Sequence, residues 1–96
     1  MRAYISFLQK TPKEINTAIA ERVKNIRKRK KISQIELSKK SGVSFGSVKR
    51  FEQTGEISLT SLVKISIALD ISDELEELFS EVKPQSIEEI LNEQTR

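Results

Sequence analysis

The sequence predicts an all-α fold, a compact five-helix bundle with short extensions at both ends. Three observations carry this reading. Two helix starts are written as Ser/Thr-x-x-Glu boxes, at Thr11–Glu14 and Ser33–Glu36, in which hydroxyl and carboxylate satisfy free backbone N–H groups reciprocally. Apolar residues then recur at three- and four-residue steps, the period of one helix face. The 96 residues are 36% apolar and 32% charged, enough for one modest core and too apolar for a disordered chain.

Residues 1–10 form an N-terminal extension whose Tyr4, Ile5, Phe7 and Leu8 suit a short strand or a helical turn and are apolar enough to pack against something. No small-residue cleavage site follows, so no signal peptide is expected. Thr11 caps the first helix, Pro12 opens it, and Ile15, Ile19, Val23 and Ile26 form its apolar stripe to about Lys30. Ser33 caps a second helix that Gly42 ends, because glycine takes the left-handed backbone that other residues resist. Ser44 caps a third, from about Phe45 to Gln53, closed by Gly55. Ser58 caps a fourth, Leu59 to Leu69, with almost no polar face, which predicts the central buried helix. Ser72 or Asp73 starts a fifth through Phe79, with acids in the first turn where the helix dipole favours them. After Pro84, Ser86 to about Glu93 suits a last short amphipathic helix with Ile87, Ile90 and Leu91. The expected organisation is one domain over 11–80 between the extension and a tail, 81–96.

Composition excludes much. Without cysteine there is no disulfide framework or thiolate chemistry. Without histidine the usual zinc ligand and the commonest general base are missing, which argues against most enzymes. No apolar run is long enough to span a bilayer, so a cytoplasmic protein is expected. The acids Glu74, Glu76, Glu77 and Glu81 lack the pattern of a calcium loop and read as a solvated face or a surface for a protein partner; no metal, cofactor or small molecule is implied. The net charge of +3 hides a polarity: residues 1–50 carry 14 Lys/Arg against 3 Asp/Glu, and residues 51–96 carry 3 against 11. Such asymmetry suits a basic surface for a polyanion, or else two solvated helix faces.

The sharpest signal is Gln34–Gln53, QIELSKKSGVSFGSVKRFEQ. Two short helices meet at Gly42, with small Ser38 where they cross. Leu37, Val43, Val48 and Phe51 are spaced to pack them together, which leaves Lys39, Lys40, Lys49 and Arg50 outside. A pair crossing steeply at such a turn can offer its second helix to the DNA major groove; an ordinary helical hairpin is the alternative. RKRKK at 27–31, with Lys39 and Lys40, supplies phosphate attraction without sequence information, or complements a helix C-terminus. An RNA role lacks the aromatic sheet or GxxG loop of the usual modules.

SQIELSKKSGVSFGSVKRFEQTGEISLTSLVKISIAL, with the helix before it, resembles the Xre/Cro/cI family of helix-turn-helix transcription regulators, over roughly residues 15–80. The resemblance implies a lambda-repressor-like bundle that binds double-stranded DNA, usually as a homodimer. It implies an internal ion pair between Arg27 and Glu52 and a phosphate contact at Gln34. It places base reading on the exposed side of the third helix, at Phe45, Gly46, Ser47 and Arg50, with Ser44, Lys49 and Thr54 beside them. Phe45 and Gly46 depart from the family's hydrogen-bonding residues. Phe45 suits a thymine methyl, or else a core or dimer contact, and Gly46 suits close backbone approach. FEQTGEISLTSLVKISIALDISDELEELF further resembles small regulators encoded beside HipA-like kinases, which bind the toxin as antitoxins and repress their own promoter. A repressor acting as a homodimer is thus expected, whose dimer buries the fifth helix through Ile71, Leu75, Leu78 and Phe79, with help from the N-terminal segment or the tail after Pro84; the alternative is that these side chains only complete the monomer core.

Overall fold

The computed structural model describes residues 10–81 and 91–92. Among them lie five helices and no strand: α1 (Pro12–Arg29), α2 (Gln34–Ser41), α3 (Phe45–Thr54), α4 (Leu59–Ala68) and α5 (Ser72–Glu76). The chain is the all-α bundle that its helix signals require. Tyr4, Ile5, Phe7 and Leu8, Pro84 and most of the expected last helix lie outside the described residues; Leu91 and Asn92 are helical and exposed.

The caps of the first four helices act through their predicted atoms. Thr11 and Ser33 accept from the N–H groups of Glu14 and Glu36, whose carboxylates accept from the cap N–H groups in return. Ser44 and Ser58 accept from Ser47 N–H and Ser61 N–H. Three helices end without glycine, and two of them, α1 and α4, close in the same way. Lys31 (φ 57) follows α1 and Asp70 (φ 61) follows α4, and in each turn two crossed backbone bonds close the end. They are Lys31 N–H to Lys28 O with Ile32 N–H to Arg27 O, and Asp70 N–H to Ile67 O with Ile71 N–H to Ser66 O. This is the Schellman pattern, and its bonds hold non-glycine residues in the left-handed region.

The core is Ala20, Val23, Leu37, Val43, Val48, Phe51, Ile65 and Leu69. α3 lies between α1 and α2; α2 also packs on α4, and α4 on α5. The buried line of α1 is Ala20, Val23 and Arg27, whereas Ile15 and Ile19 are 48% and 37% exposed. The expected stripe was therefore right only toward its C-terminal end. At 18 residues α1 is about 27 Å long, about twice its neighbours, and although Asn16 packs on Gly55, Ile15 and Ile19 beside it stay uncovered.

α4 departs most from expectation. Ile65 and Ser66 are buried, but Leu59 and Ile67 are 68% and 61% exposed and Val63 lies beside them. Only α2 and α5 pack closely on it among the described helices, so half of its apolar circumference stays open instead of central. α5 stops at Glu76, three residues before the expected Phe79, and its N-cap is Ile71 with no side-chain bond. Glu76 and Glu77 end it with negative charge where the dipole favours positive. The chain leaves through turns from Leu78 N–H to Leu75 O and from Ser80 N–H to Glu77 O.

The glycines separate strain from crowding. Gly42 (φ 75) has open space where a Cβ would stand, whereas a Cβ on Gly55 (φ 80) would meet the Asn16 backbone carbon at 2.7 Å. Gly42→Ala should therefore cost about 1–2 kcal/mol, the left-handed penalty alone, and Gly55→Ala distinctly more. Gly46, helical and open, should gain about 0.5–1 kcal/mol as alanine. Urea melts of the three variants check the order.

Candidate nucleic-acid interface

Beneath α3 the charges converge on one carboxylate. Arg27 Nε donates to Glu52 Oε2 at 2.7 Å and Arg27 Nη2 to Oε1 at 2.9 Å. Gln34 Nε2 also donates to Oε1, at 2.9 Å, and Arg27 Nη1 reaches Ile32 O at 2.7 Å. The Arg27 and Glu52 side chains are 9% and 3% exposed. A parallel fork between guanidinium and carboxylate is the strong geometry for such a pair. It fastens the end of α1, the loop after it, the start of α2 and the C-terminal half of α3 to each other. Burial pushes the Glu52 carboxyl up, but hydrogen bonds from Arg27 and Gln34, with the charges of Arg27 and Lys24, outweigh it and hold the group below its ordinary value.

Serines close the turn between α2 and α3. Ser38 Oγ donates to Val43 O at 2.7 Å, and Val43 N–H donates to Ser41 Oγ at 3.1 Å. The crossing point therefore needs a hydroxyl as well as a small side chain. With Val48 and Phe51 turned into the core, α3 presents Phe45, Gly46, Ser47, Lys49 and Arg50 outward. Phe45 is 43% exposed, which removes it from the monomer core. Ser44 Oγ donates to Ser47 Oγ at 2.8 Å, leaving the Ser47 hydroxyl proton available. Lys39 stands exposed in the last turn of α2, beside Lys40.

Two expected contact residues have other bonds. Gln34 gives one amide proton to Glu52 and retains a second. Thr54 Oγ1 donates to Arg50 O and accepts from Glu56 N–H, so its hydroxyl ties the end of α3 to the following loop. Glu56 was missed in the sequence. Its Oε2 accepts from Arg50 Nη2 at 3.2 Å across the helix end, a separation of six residues that no helical spacing rule covers. The pair is 66% and 60% exposed, the kind that contributes about 0–1 kcal/mol to stability.

The outward face therefore carries a cationic fork, an ammonium, a hydroxyl, an aromatic edge and bare backbone at Gly46. These suit base edges, a methyl group and phosphates. Among the described residues, no helix is long and apolar enough to cross a membrane.

The helix-turn-helix family model matches residues 23–75, more than half of the chain. The match begins in the second half of α1 and ends in α5, so it contains the ion pair, the turn and α3. No curated protein and no solved structure matches the chain.

Arg27→Ala and Glu52→Ala should each cost about 3–5 kcal/mol, because each leaves a buried charge uncompensated. The double variant should lose less than the sum, and additivity in a denaturant cycle would reject the coupling. Acid should act in the same direction. Glu14 and Glu36, held low chiefly by the backbone N–H groups of Thr11 and Ser33, and Glu52 all lie below the ordinary 4.5. Their stabilisation is complete above pH 4.5 and is lost as pH falls through the folded-state values, since the unfolded chain takes up protons first. Thermal melts from neutral pH downward should show that decline, smaller in Glu52→Gln.

Proposed function

The chain belongs to the helix-turn-helix family of Xre/lambda-repressor type, and from that premise we propose that it is a sequence-specific repressor that places α3 in the DNA major groove as a homodimer. The family makes it a DNA-binding regulator. The observation that carries the finer reading is the outward face of α3. Phe45, Gly46, Ser47 and Arg50 stand clear of the core, while Glu52 on the same helix is tied by Arg27 and Gln34. The reading helix is thereby held at a set angle before it meets DNA. Lys39, Lys49 and the remaining amide proton of Gln34 supply phosphate contacts on either side, Ser44 and Thr54 border the reading face, and residues 11–80 form the DNA-binding unit.

Dimerisation follows from the small reach of one helix. Two-fold partners of this type read half-sites about 34–36 Å apart on one face of DNA. In this reading the dimer buries α5, with Leu78 and Phe79 beyond it, together with the line Leu59, Val63 and Ile67 on α4. That line has one charged neighbour on its helix, Lys64, which suits a surface that must meet its own copy.

A second role, neutralising a HipA-like toxin, is favoured by the end of the fold opposite in charge. Asp73, Glu74, Glu76 and Glu77 are exposed, and Leu78 and Phe79 follow at 52% and 87% exposure. Acidic and apolar groups together suit a protein partner better than DNA. A kinase-like toxin encoded beside this chain, co-purifying with it, would support the second role.

Selection of bound duplex from a random pool tests the first role. Log affinity should fall against log salt with a slope of about −0.9 per neutralised phosphate. Arg50→Ala should lose about 1–3 kcal/mol of discrimination between the selected and a shuffled duplex. Lys39→Ala should weaken both alike. Sedimentation should give a dimer at micromolar concentration that Leu59→Glu dissociates; a wild-type monomer would overturn the assembly.

A further inference from the structure

Arg50 is the longest cation on the outward face of α3, and it does not stand free: its Nη2 donates to Glu56 Oε2 at 3.2 Å. Three features fix the position of Glu56. Gly55 ends α3 at φ 80 with its N–H on Phe51 O, and it lies so close to Asn16 that no Cβ fits. Glu56 N–H is then held by Thr54 Oγ1, whose own proton is on Arg50 O. Glu56 is thus tied by its backbone to the residue whose side chain it receives. A groove opens beside the pair, lined by Asn16, Ser47, Ser58 and Ser61, and among the residues lining it Arg50 and Glu56 are the only charged ones.

The chemistry of this arrangement is asymmetric. A guanidinium has five donors in a planar fork, and one bond to Glu56 leaves an edge that can meet a guanine in two bonds. Held by Glu56, that edge is biased toward one orientation. On DNA of the wrong sequence the same guanidinium would turn to the nearest phosphate, as cations do without regard to sequence. Turning away strands the Glu56 carboxylate close to the phosphates, where like charge is repelled.

Resting on the reading role given to Arg50 above, we propose that Glu56 is a specificity-determining positioning residue. It orients Arg50 for a base edge and makes its use on phosphates unfavourable, so it lowers affinity for random DNA more than for the true site.

The test compares Glu56→Gln, Arg50→Ala and the double variant in the full chain. Each is titrated with the duplex that the wild type enriches from a random pool and with a shuffled duplex of the same composition. Glu56→Gln should bind the shuffled duplex about two- to fivefold more tightly, the range that an exposed ion pair spans, and the enriched one within about twofold of wild type. Its salt slope on the shuffled duplex should steepen by about 0.9, the mark of one further phosphate contact. In the Arg50→Ala background the exchange at position 56 should leave the ratio between duplexes unchanged. An unaltered ratio in Glu56→Gln overturns the proposal. So does an equal gain on both duplexes, or the same gain without Arg50, since Glu56 would then act only as general negative charge. An Arg50→Ala protein that keeps the wild-type ratio overturns the reading role itself and the proposal with it, whereas failure at position 56 alone leaves Arg50 in place.

Discussion

The Glu52 carboxylate is the constraint on which the rest of the arrangement depends. Both of its oxygens are occupied, by two Arg27 nitrogens and the Gln34 amide, and it is nearly removed from water. Burying a carboxylate is unfavourable unless its partners are placed in advance, and here the partners come from separate helices. Satisfying one charge therefore sets three helices at once. The same side chain that would be a liability in an unfinished fold becomes a condition on the finished one: α3 cannot tilt without unpairing it.

That constraint divides α3 by function along its length. Val48 and Phe51 anchor the inner side in the core, and Glu52 fixes the C-terminal half. The N-terminal turn opens on the Ser44 cap and carries the exposed Phe45, Gly46 and Ser47, with Val48 of the same turn buried. In the proposed reading, rigidity behind that exposed face spares the complex the cost of ordering it on binding. The two serines of the preceding turn extend the rigidity to α2.

Local chemistry was legible where one residue type has one use. The boxes at Thr11 and Ser33, the serine caps and the left-handed glycines at 42 and 55 act as the sequence indicates. What the pattern of α1 and α4 could not show is which neighbours are long enough to cover an apolar stripe. Ile15 and Ile19 look like core until α1 proves longer than the helices beside it, and Leu59, Val63 and Ile67 look central until, among the described helices, only two pack closely on α4. α5 was read too long because periodicity counted Leu75, Leu78 and Phe79 without weighing the carboxylates at its end. Around the outward face, the exposure of the residues was legible and their mutual bonds were not. Glu56 reaches Arg50 over a helix end, and Thr54 serves two backbone partners, neither of which follows from spacing.

Gly46 gives the outward face a property of a different kind. It lies in the first turn of α3 with nothing within 4 Å of where a side chain would begin, and it has no need of the left-handed backbone. The scaffold therefore sets no steric condition on the start of a side chain at residue 46, and a helix former there would strengthen α3 rather than strain it. Under the proposed reading role, such a position can change in single steps without threatening folding, while each change alters what the face offers to DNA.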